Sequence, residues 1–188
     1  MKRIASVILT GALILSMGAA AFAATPSKTV ADEIKADVAV ETTGFDRVSI
    51  STEETEATVA QSAEVVKELA SSTEELKETV GATAEEKIEV IAVRTVTSEQ
   101  TPVFNRTKVT ASLSSAVIDA ACTENEQVTV LVMVPVVGKD GTVTYEKIAV
   151  TSGVVKDGKV QVKLTGALLK KIGKRKVTLV AIKKIAKV

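Results

Sequence analysis

Residues 134–164 read VPVVGKDGTVTYEKIAVTSGVVKDGKVQVKL, a stretch in which the tripeptide Lys-Asp-Gly occurs twice between runs rich in β-branched residues. Asp-Gly is a strong hairpin signal, because a type I′ turn needs positive φ at both central positions. The runs on either side have the length and composition of strands. The pairs Asp140, Gly141 and Asp157, Gly158 are therefore predicted to be the corners of a three-stranded antiparallel meander.

The repeated aspartates also raise the question of a calcium site. A calcium loop needs several oxygen ligands at close and regular spacing. Asp140 and Asp157 are 17 residues apart and stand among lysines. The turn interpretation is therefore preferred, and no metal or cofactor is expected.

Further strands are predicted around the meander, where apolar residues alternate with polar ones or follow one another. These segments are residues 87–97, 106–114, 126–137 and 176–182. The first carries apolar residues on both of its faces, which suits a strand covered on both sides. Pro135 is expected to end the regular pairing of its strand, and a change of phase predicts a β-bulge near Glu146 and Lys147.

Residues 51–82 carry apolar or small side chains at a spacing of three to four, which is typical of an amphipathic helix. Two capping boxes, starting at Ser51 and Ser72, predict two helices at about 53–70 and 73–80. Gly81 follows, at a position that favours positive φ. Packing on the protein's own sheet is preferred to a coiled coil, because the stripe contains many small residues.

The expected fold class is α+β. It consists of an antiparallel immunoglobulin-like β-sandwich of about six to seven strands over residues 86–188, with an amphipathic helical segment at 51–82. A single antiparallel sheet backed by helices is the alternative. Residues 24–50 are expected to be an irregular N-terminal segment.

The order of these elements resembles a known group of proteins. A Glu/Lys/Ala-rich helix is followed by GATAEEKIEVIAV, by VTVLVMVP, by DGTVTYEKIAVTSGVVKDGKVQVKL and by a final apolar strand. This pattern is similar to small secreted immunoglobulin-like domains of unknown function from Gram-positive gut bacteria. The resemblance implies secretion, a β-sandwich and a non-enzymatic role, and it supplies no functional residues.

The N-terminus has the three parts of a secretory signal peptide. Lys2 and Arg3 precede a mostly apolar run at 4–17, which is too short to span a membrane, and Ala21-Phe22-Ala23 offers a cleavage site. Residues 1–23 are therefore predicted to be removed, which leaves no transmembrane segment. The expected location is secreted, with non-covalent association with the cell wall left open.

Residue types that carry most enzyme chemistry are missing. The chain has no histidine, a single cysteine and no tryptophan, and its glycines are spaced as turns rather than as a phosphate loop. No enzymatic activity and no nucleic-acid binding are expected, although paired carboxylates alone could hydrolyse glycosides. Cys122 is interpreted as a small buried residue, with pairing to another molecule left open.

Charge is unevenly distributed along the chain. Residues 24–100 hold 7 basic and 17 acidic residues, whereas residues 101–188 hold 15 basic and 6 acidic residues. The basic half ends in a cluster that no acid interrupts, formed by Lys170, Lys171, Lys174, Arg175, Lys176, Lys183 and Lys184. It is a candidate site for cell-wall polyanions. Solubility with edge protection, or pairing with the acidic helices, are the alternatives.

The function expected from the sequence is a secreted, non-catalytic β-sandwich module that interacts with the cell surface or with another secreted protein. A small carboxylate-dependent extracellular hydrolase is one alternative, and a subunit of an extracellular assembly is another. The oligomeric state is not predicted.

Overall fold

The structure is a computed structural model that describes residues 13–15, 33–43, 49–99 and 108–186. Its strands are β1 (Leu13–Leu15), β2 (Asp37–Thr43), β3 (Ile50–Ser51), β4 (Lys87–Ser98), β5 (Lys108–Ser114), β6 (Gln127–Val137), β7 (Val143–Lys156), β8 (Lys159–Thr165) and β9 (Lys176–Ile185). Its helices are α1 (Glu56–Ser71), α2 (Thr73–Val80), α3 (Ala116–Ala121) and α4 (Gly166–Ile172). Of the predicted signal peptide, only β1 is described, and the cleavage site lies outside the described residues.

Hydrogen bonds join the described strands into one antiparallel sheet in the order β1-β4-β9-β6-β7-β8-β5-β2, with β3 beside the end of β4. The sheet curls until the segment before β2 meets β4. There Lys35 forms a parallel bridge with Val93, and the Ala36 amide donates to the Val93 carbonyl at 3.0 Å. The predicted antiparallel, sheet-rich fold is confirmed, and the sheet is nearly barrel-shaped. The division into a two-layer sandwich stays a prediction.

Strands β6, β7 and β8 form a meander with two different connections. Asp157 and Gly158 are the two-residue loop between β7 and β8, with φ of 50° and 68°. The β6–β7 connection is longer and covers residues 138–142. In it Gly141 has a φ of 83°, and the Asp140 carboxylate accepts hydrogen bonds from the Thr142 amide and hydroxyl at 3.0 and 2.8 Å.

Strand β4 lies between two apolar layers, and most of its residues are buried. Helices α1 and α2 cover one face of the sheet with buried side chains that include Val65, Leu69, Leu76 and Val80. The inside of the curl is filled by alternate residues of β5 and β8, namely Val109, Ala111, Leu113, Val160, Val162 and Leu164. The period of two in these strands directs every second side chain inward.

A buried chain of hydroxyl and amide groups sets the position of α1 on the sheet. Ser62 Oγ lies 2.8 Å from Thr95 Oγ1, which lies 2.8 Å from Thr178 Oγ1. Gln61 Nε2 donates to the same Thr178 oxygen at 3.0 Å. Farther along the helix, the buried Tyr145 hydroxyl donates to Glu64 at 2.5 Å. An unpaired buried polar group costs free energy. A shift of α1 on the sheet would break these hydrogen bonds, so they favour a single position of the helix.

A β-bulge in β4 helps to close the curl. The pairing of β4 with β9 shifts between Val90 and Ala92, so Ile91 has no partner in β9. The Ser115 hydroxyl, which follows β5, donates to the Ile91 carbonyl at 2.6 Å. The same oxygen caps α3 by accepting from the Ile118 amide at 3.2 Å. Ser115 therefore joins the two ends of the curled sheet.

The starts of the helices differ from the prediction. Helix α1 begins after Thr55, which forms the capping box with Thr58. The predicted box at Ser51 is wrong, because Ser51 belongs to β3 and the Glu54 carboxylate instead binds Lys35 at 2.5 Å and Arg94 at 2.7 Å. These two hydrogen bonds lower the pKa of Glu54. At α2 the Ser72 side chain makes no capping bond.

Three predictions about the strands also need correction. Residues 24–50 are not irregular throughout, because β2 pairs with β5 over its whole length. Pro135 does not end the pairing of β6, which continues with β7 to Val137. Proline is tolerated there because β9 pairs with β6 only up to Met133. The bulge in β7 falls at Ile148, one residue beyond the predicted position.

We expect Ser115→Ala to lower the free energy of unfolding by about 1–3 kcal/mol, because it removes a helix cap and leaves the buried Ile91 carbonyl without its donor. Urea denaturation of the full chain measures the change. Ser112→Ala is the matched control, and we expect it to change stability by less than about 0.5 kcal/mol. Equal stability of the two variants would contradict the role given to Ser115.

Candidate interaction surface

Helix α4, the start of β9 and the connection between them present five cationic residues of the predicted cluster at one corner of the sheet. We call this group, Lys170, Lys171, Lys174, Arg175 and Lys176, the basic corner. Thr165 caps α4 by accepting from the Leu168 amide at 3.3 Å, and Leu168, Leu169 and Ile172 are buried. The apolar face of α4 is thus anchored in the core, and its lysines lie on the exposed face.

Arg175 has a structural role within the basic corner. Its Nε donates to the Ile172 carbonyl at 2.8 Å, and its Nη2 donates to the Lys171 carbonyl. These carbonyls belong to the last turn of α4, where the helix dipole favours a positive charge. Arg175 therefore stabilises the helix end while its side chain remains exposed.

Three lysines of the basic corner are available to a partner. Lys171 and Lys174 are exposed and Lys176 is half-buried. None of their three side chains forms a hydrogen bond or an ion pair with a residue that the structure describes. The hypothesis that the acidic helices neutralise the cluster internally is therefore not supported at this corner.

The other two predicted residues do not belong to this surface. Lys183 is mostly buried, and its Nζ lies 2.8 Å from Glu126 Oε1 and 2.5 Å from the Ala121 carbonyl. Lys184 Nζ lies 3.4 Å from the Gly81 carbonyl. Lys176 and Lys183 are seven residues apart on β9, which corresponds to about 23 Å. The single predicted cluster is thus divided between the two ends of a strand.

A buried carboxylate that the sequence analysis did not identify lies near Lys183. Glu89 is only 3% exposed and stands opposite Lys183 in the pairing of β4 with β9. The Glu89 carboxylate forms no hydrogen bond or ion pair with a described residue. Burial raises the pKa of Glu89, and the positive charge of Lys183 opposes this rise. The only signal in the sequence is an acid within a run of apolar residues.

Glu126 and Cys122 complete the surroundings of Lys183. Burial on its own would raise the pKa of Glu126, but hydrogen bonds from Lys183 and Thr123 outweigh it and lower that pKa. Cys122 is a half-buried free thiol. Its pKa is raised mainly by burial, which agrees with its interpretation as a packing residue rather than a reactive one.

The described part of the chain offers neither a metal cluster nor a membrane-spanning helix. No three or more His, Cys, Asp or Glu residues lie together there in a way that could hold a metal ion. No helix in the same part is long and apolar enough to cross a membrane. Asp140 and Asp157 lie in separate turns, at the two ends of β7.

Comparison with known proteins adds no family: no family model, curated protein or solved structure matches the chain. The geometry of the basic corner and of the residues around Lys183 is therefore the basis for a functional proposal.

We expect Lys183→Met to lower the free energy of unfolding by about 2–3 kcal/mol, because it leaves Glu126 without its ion-pair partner and removes the positive charge near the buried Glu89. Lys184→Met removes the same charge from the next residue and should change stability by less than about 0.5 kcal/mol. Urea denaturation at pH 7 measures both. Similar losses in the two variants would show that Lys183 has no special structural role.

We expect Glu89→Gln to increase the free energy of unfolding at pH 7 to 8. The folded-state pKa of Glu89 lies above its unfolded value of about 4.3, so the ionised carboxylate destabilises the fold at high pH and the protonated one does not. The gain should therefore shrink as pH falls towards 4. Denaturation curves at several pH values test this, and a gain that grows on acidification would contradict the assignment.

Proposed function

We propose that this protein is an exported, non-catalytic module that binds phosphate-bearing polymers at a cell surface through the basic corner. The observation that carries the proposal is the group Lys171, Lys174 and Lys176, three cations at one corner without a partner in the described residues. Lysine binds phosphate as a point charge, which suits a flexible polymer with repeated anionic groups.

The way in which α4 is held supports this proposal. Its buried leucines and the Arg175 contacts fix the helix end. Lys171 therefore lies on an anchored helix and Lys176 on a strand, and Lys174 lies in the three-residue connection between them. Binding of this kind depends on the sum of several screened charges. We therefore expect it to be weak at each lysine, additive over the corner and sensitive to salt.

Export is the part of the proposal that rests on sequence. Lys2, Arg3, the apolar run that follows them and the small residues near Ala23 have the arrangement of a signal peptide. A polymer of the outer surface would then be the anion that the basic corner meets first. Another secreted protein with an acidic surface is the alternative partner.

The finer description of the fold is also a proposal. The sheet is nearly barrel-shaped, and buried apolar side chains of β4 and β9, and of β5 and β8, belong to one core. We infer that these two groups of strands act as the layers of an immunoglobulin-like sandwich, with α1 and α2 as an added layer. The unbroken hydrogen-bonding path favours the alternative of a single sheet backed by helices.

A carboxylate-dependent hydrolase remains an alternative because Glu89 is a buried acid with a raised pKa, as a general acid requires. Its nearest acidic neighbour around Lys183, Glu126, has a lowered pKa and is bound by that lysine. The carboxylate of Glu126 is thus engaged in an ion pair, whereas glycoside hydrolysis needs a second carboxylate that can act as base or nucleophile. Hydrolysis of model glycosides that is lost in Glu89→Gln would favour this alternative.

An assembly subunit is the other alternative, and exposed valines on the β6–β7 hairpin favour it. Val137 and Val143 face each other at the tip and are 67% and 46% exposed, and Val150 is 47% exposed. Contiguous exposed apolar residues often mark interaction sites. Light scattering of the full chain that gives a monomer at all concentrations would argue against it.

The proposed function is tested by reversing the free charges of the basic corner. We expect the triple variant Lys171→Glu, Lys174→Glu, Lys176→Glu to bind phosphocellulose at least about tenfold more weakly at low salt, since each change replaces an attraction with a repulsion. Binding of the unchanged protein should itself disappear as salt rises.

The matched control is Lys67→Glu, Lys156→Glu, Lys159→Glu, three exposed lysines elsewhere in the molecule whose reversal changes the net charge equally. We expect this control to retain most of the binding. Equal loss in both triple variants would show that net charge alone governs retention, and the basic corner would then not be a site.

A further inference from the structure

The outer edge of β4 is shared by three short segments. β3 pairs with its end, Lys35 forms a bridge with Val93 in its middle, and β1 pairs with residues 88–90 at its beginning. We call residues 88–90 the acceptor edge. Each residue of β1 stands opposite one residue of this edge, with Leu13 opposite Val90, Ile14 opposite Glu89 and Leu15 opposite Ile88.

The acceptor edge differs from an ordinary exposed edge. Exposed edges of natural sheets are protected by charged side chains, prolines or covering segments. Ile88 and Val90 are fully buried, and no proline lies in β4. Two of the three residues of the edge are therefore apolar, with the charged Glu89 between them. The edge is covered in the full chain by a strand from the segment predicted to be removed on export.

We propose that the acceptor edge binds an extended apolar peptide by antiparallel strand addition, and that Leu13–Leu15 is a displaceable occupant of it. Removal of the leader on export would open this edge to the peptide, and this part of the inference rests on the export part of the proposed function. Main-chain hydrogen bonds provide the binding in strand addition, and the apolar neighbours select the side chains. The partner is thus an extended segment of the Leu-Ile-Leu type.

Two features make the occupant displaceable. β1 pairs over only three residues, about 10 Å of strand. Its central residue stands opposite Glu89, whose carboxylate has no hydrogen bond to a described residue. When β1 pairs with the edge, it keeps the unpaired carboxylate of Glu89 away from water. The lost hydration costs free energy and so opposes the docking of β1.

The charged and titratable groups around Glu89 do not remove this cost. Lys183 stands opposite Glu89 on β9, but its ammonium group is bound to Glu126 and to the Ala121 carbonyl. Cys122, which follows α3, contributes a thiol whose pKa is raised. Glu89→Gln should therefore strengthen the docking of β1 by removing the buried charge.

The test uses the ¹⁵N-labelled full chain and follows amide hydrogen exchange at residues 88–90. Ile14→Pro removes a donor from β1 and cannot continue the ladder. Since successive amides of a strand point to opposite sides, we expect it to speed exchange at least tenfold at those amides of residues 88–90 that point to β1, with no change in the amides of β9. Leu9→Pro, a proline in the leader outside β1, is the control and should behave like the unchanged protein.

A synthetic peptide Lys-Gly-Ala-Leu-Ile-Leu-Ser-Lys is then added to both proteins. We expect it to shift the amide signals of residues 88–90 in Ile14→Pro and to restore their protection. The unchanged chain should respond at least tenfold less, because its tethered strand competes at an effective concentration in the millimolar range. The same peptide with proline in place of isoleucine should have no effect.

Two results would overturn the proposal. Equal exchange at residues 88–90 in Ile14→Pro and the unchanged chain would show that Leu13–Leu15 does not occupy the edge. Peptide shifts that fall on β2 or β7, or that are absent in Ile14→Pro, would show that the edge is not an acceptor. Neither result bears on the basic corner, because these variants leave its lysines and its binding to phosphocellulose unchanged.

Discussion

Burial of β4 on both faces is the constraint on which the rest of this molecule depends. A strand that is apolar on both sides is stable only when each side is covered. Helices α1 and α2 cover one side, and the curled part of the sheet covers the other. Each fully buried valine, leucine or isoleucine contributes roughly 1.5–3 kcal/mol, so the loss of either layer would remove much of the stability.

A few polar contacts, rather than the burial of additional apolar surface, determine how the curled sheet closes. The bulge at Ile91 frees a carbonyl that Ser115 binds, and the backbone at Ala36 reaches Val93 beside it. On the other face the Thr95 and Thr178 hydroxyls hold α1 in one position. Apolar packing is tolerant of small shifts, whereas buried hydrogen bonds are not. These contacts therefore select one arrangement from many that would bury similar surface.

The basic cluster shows why proximity in sequence does not make a site. A strand extends about 3.3 Å per residue, so lysines separated by most of the length of β9 lie at opposite ends of that strand. Lys183 forms an ion pair with Glu126, while Lys171 remains exposed on a short anchored helix and Lys174 in the connection that follows it. The proposed binding surface therefore consists of five residues at one corner, and the other two residues of the predicted cluster make contacts within the fold.

The sequence by itself determined the local features of this protein. The turn at Asp157 and Gly158, the alternation in β5 and β8 and the break between α1 and α2 at Ser72 follow from φ preferences and side-chain periods within a few residues. Only the tertiary structure decided the strand order, the use of Glu54 as a clamp instead of a cap, and the burial of Glu89. Those features depend on residues that are distant in the chain, and a local pattern holds no information about which distant strand will lie beside it.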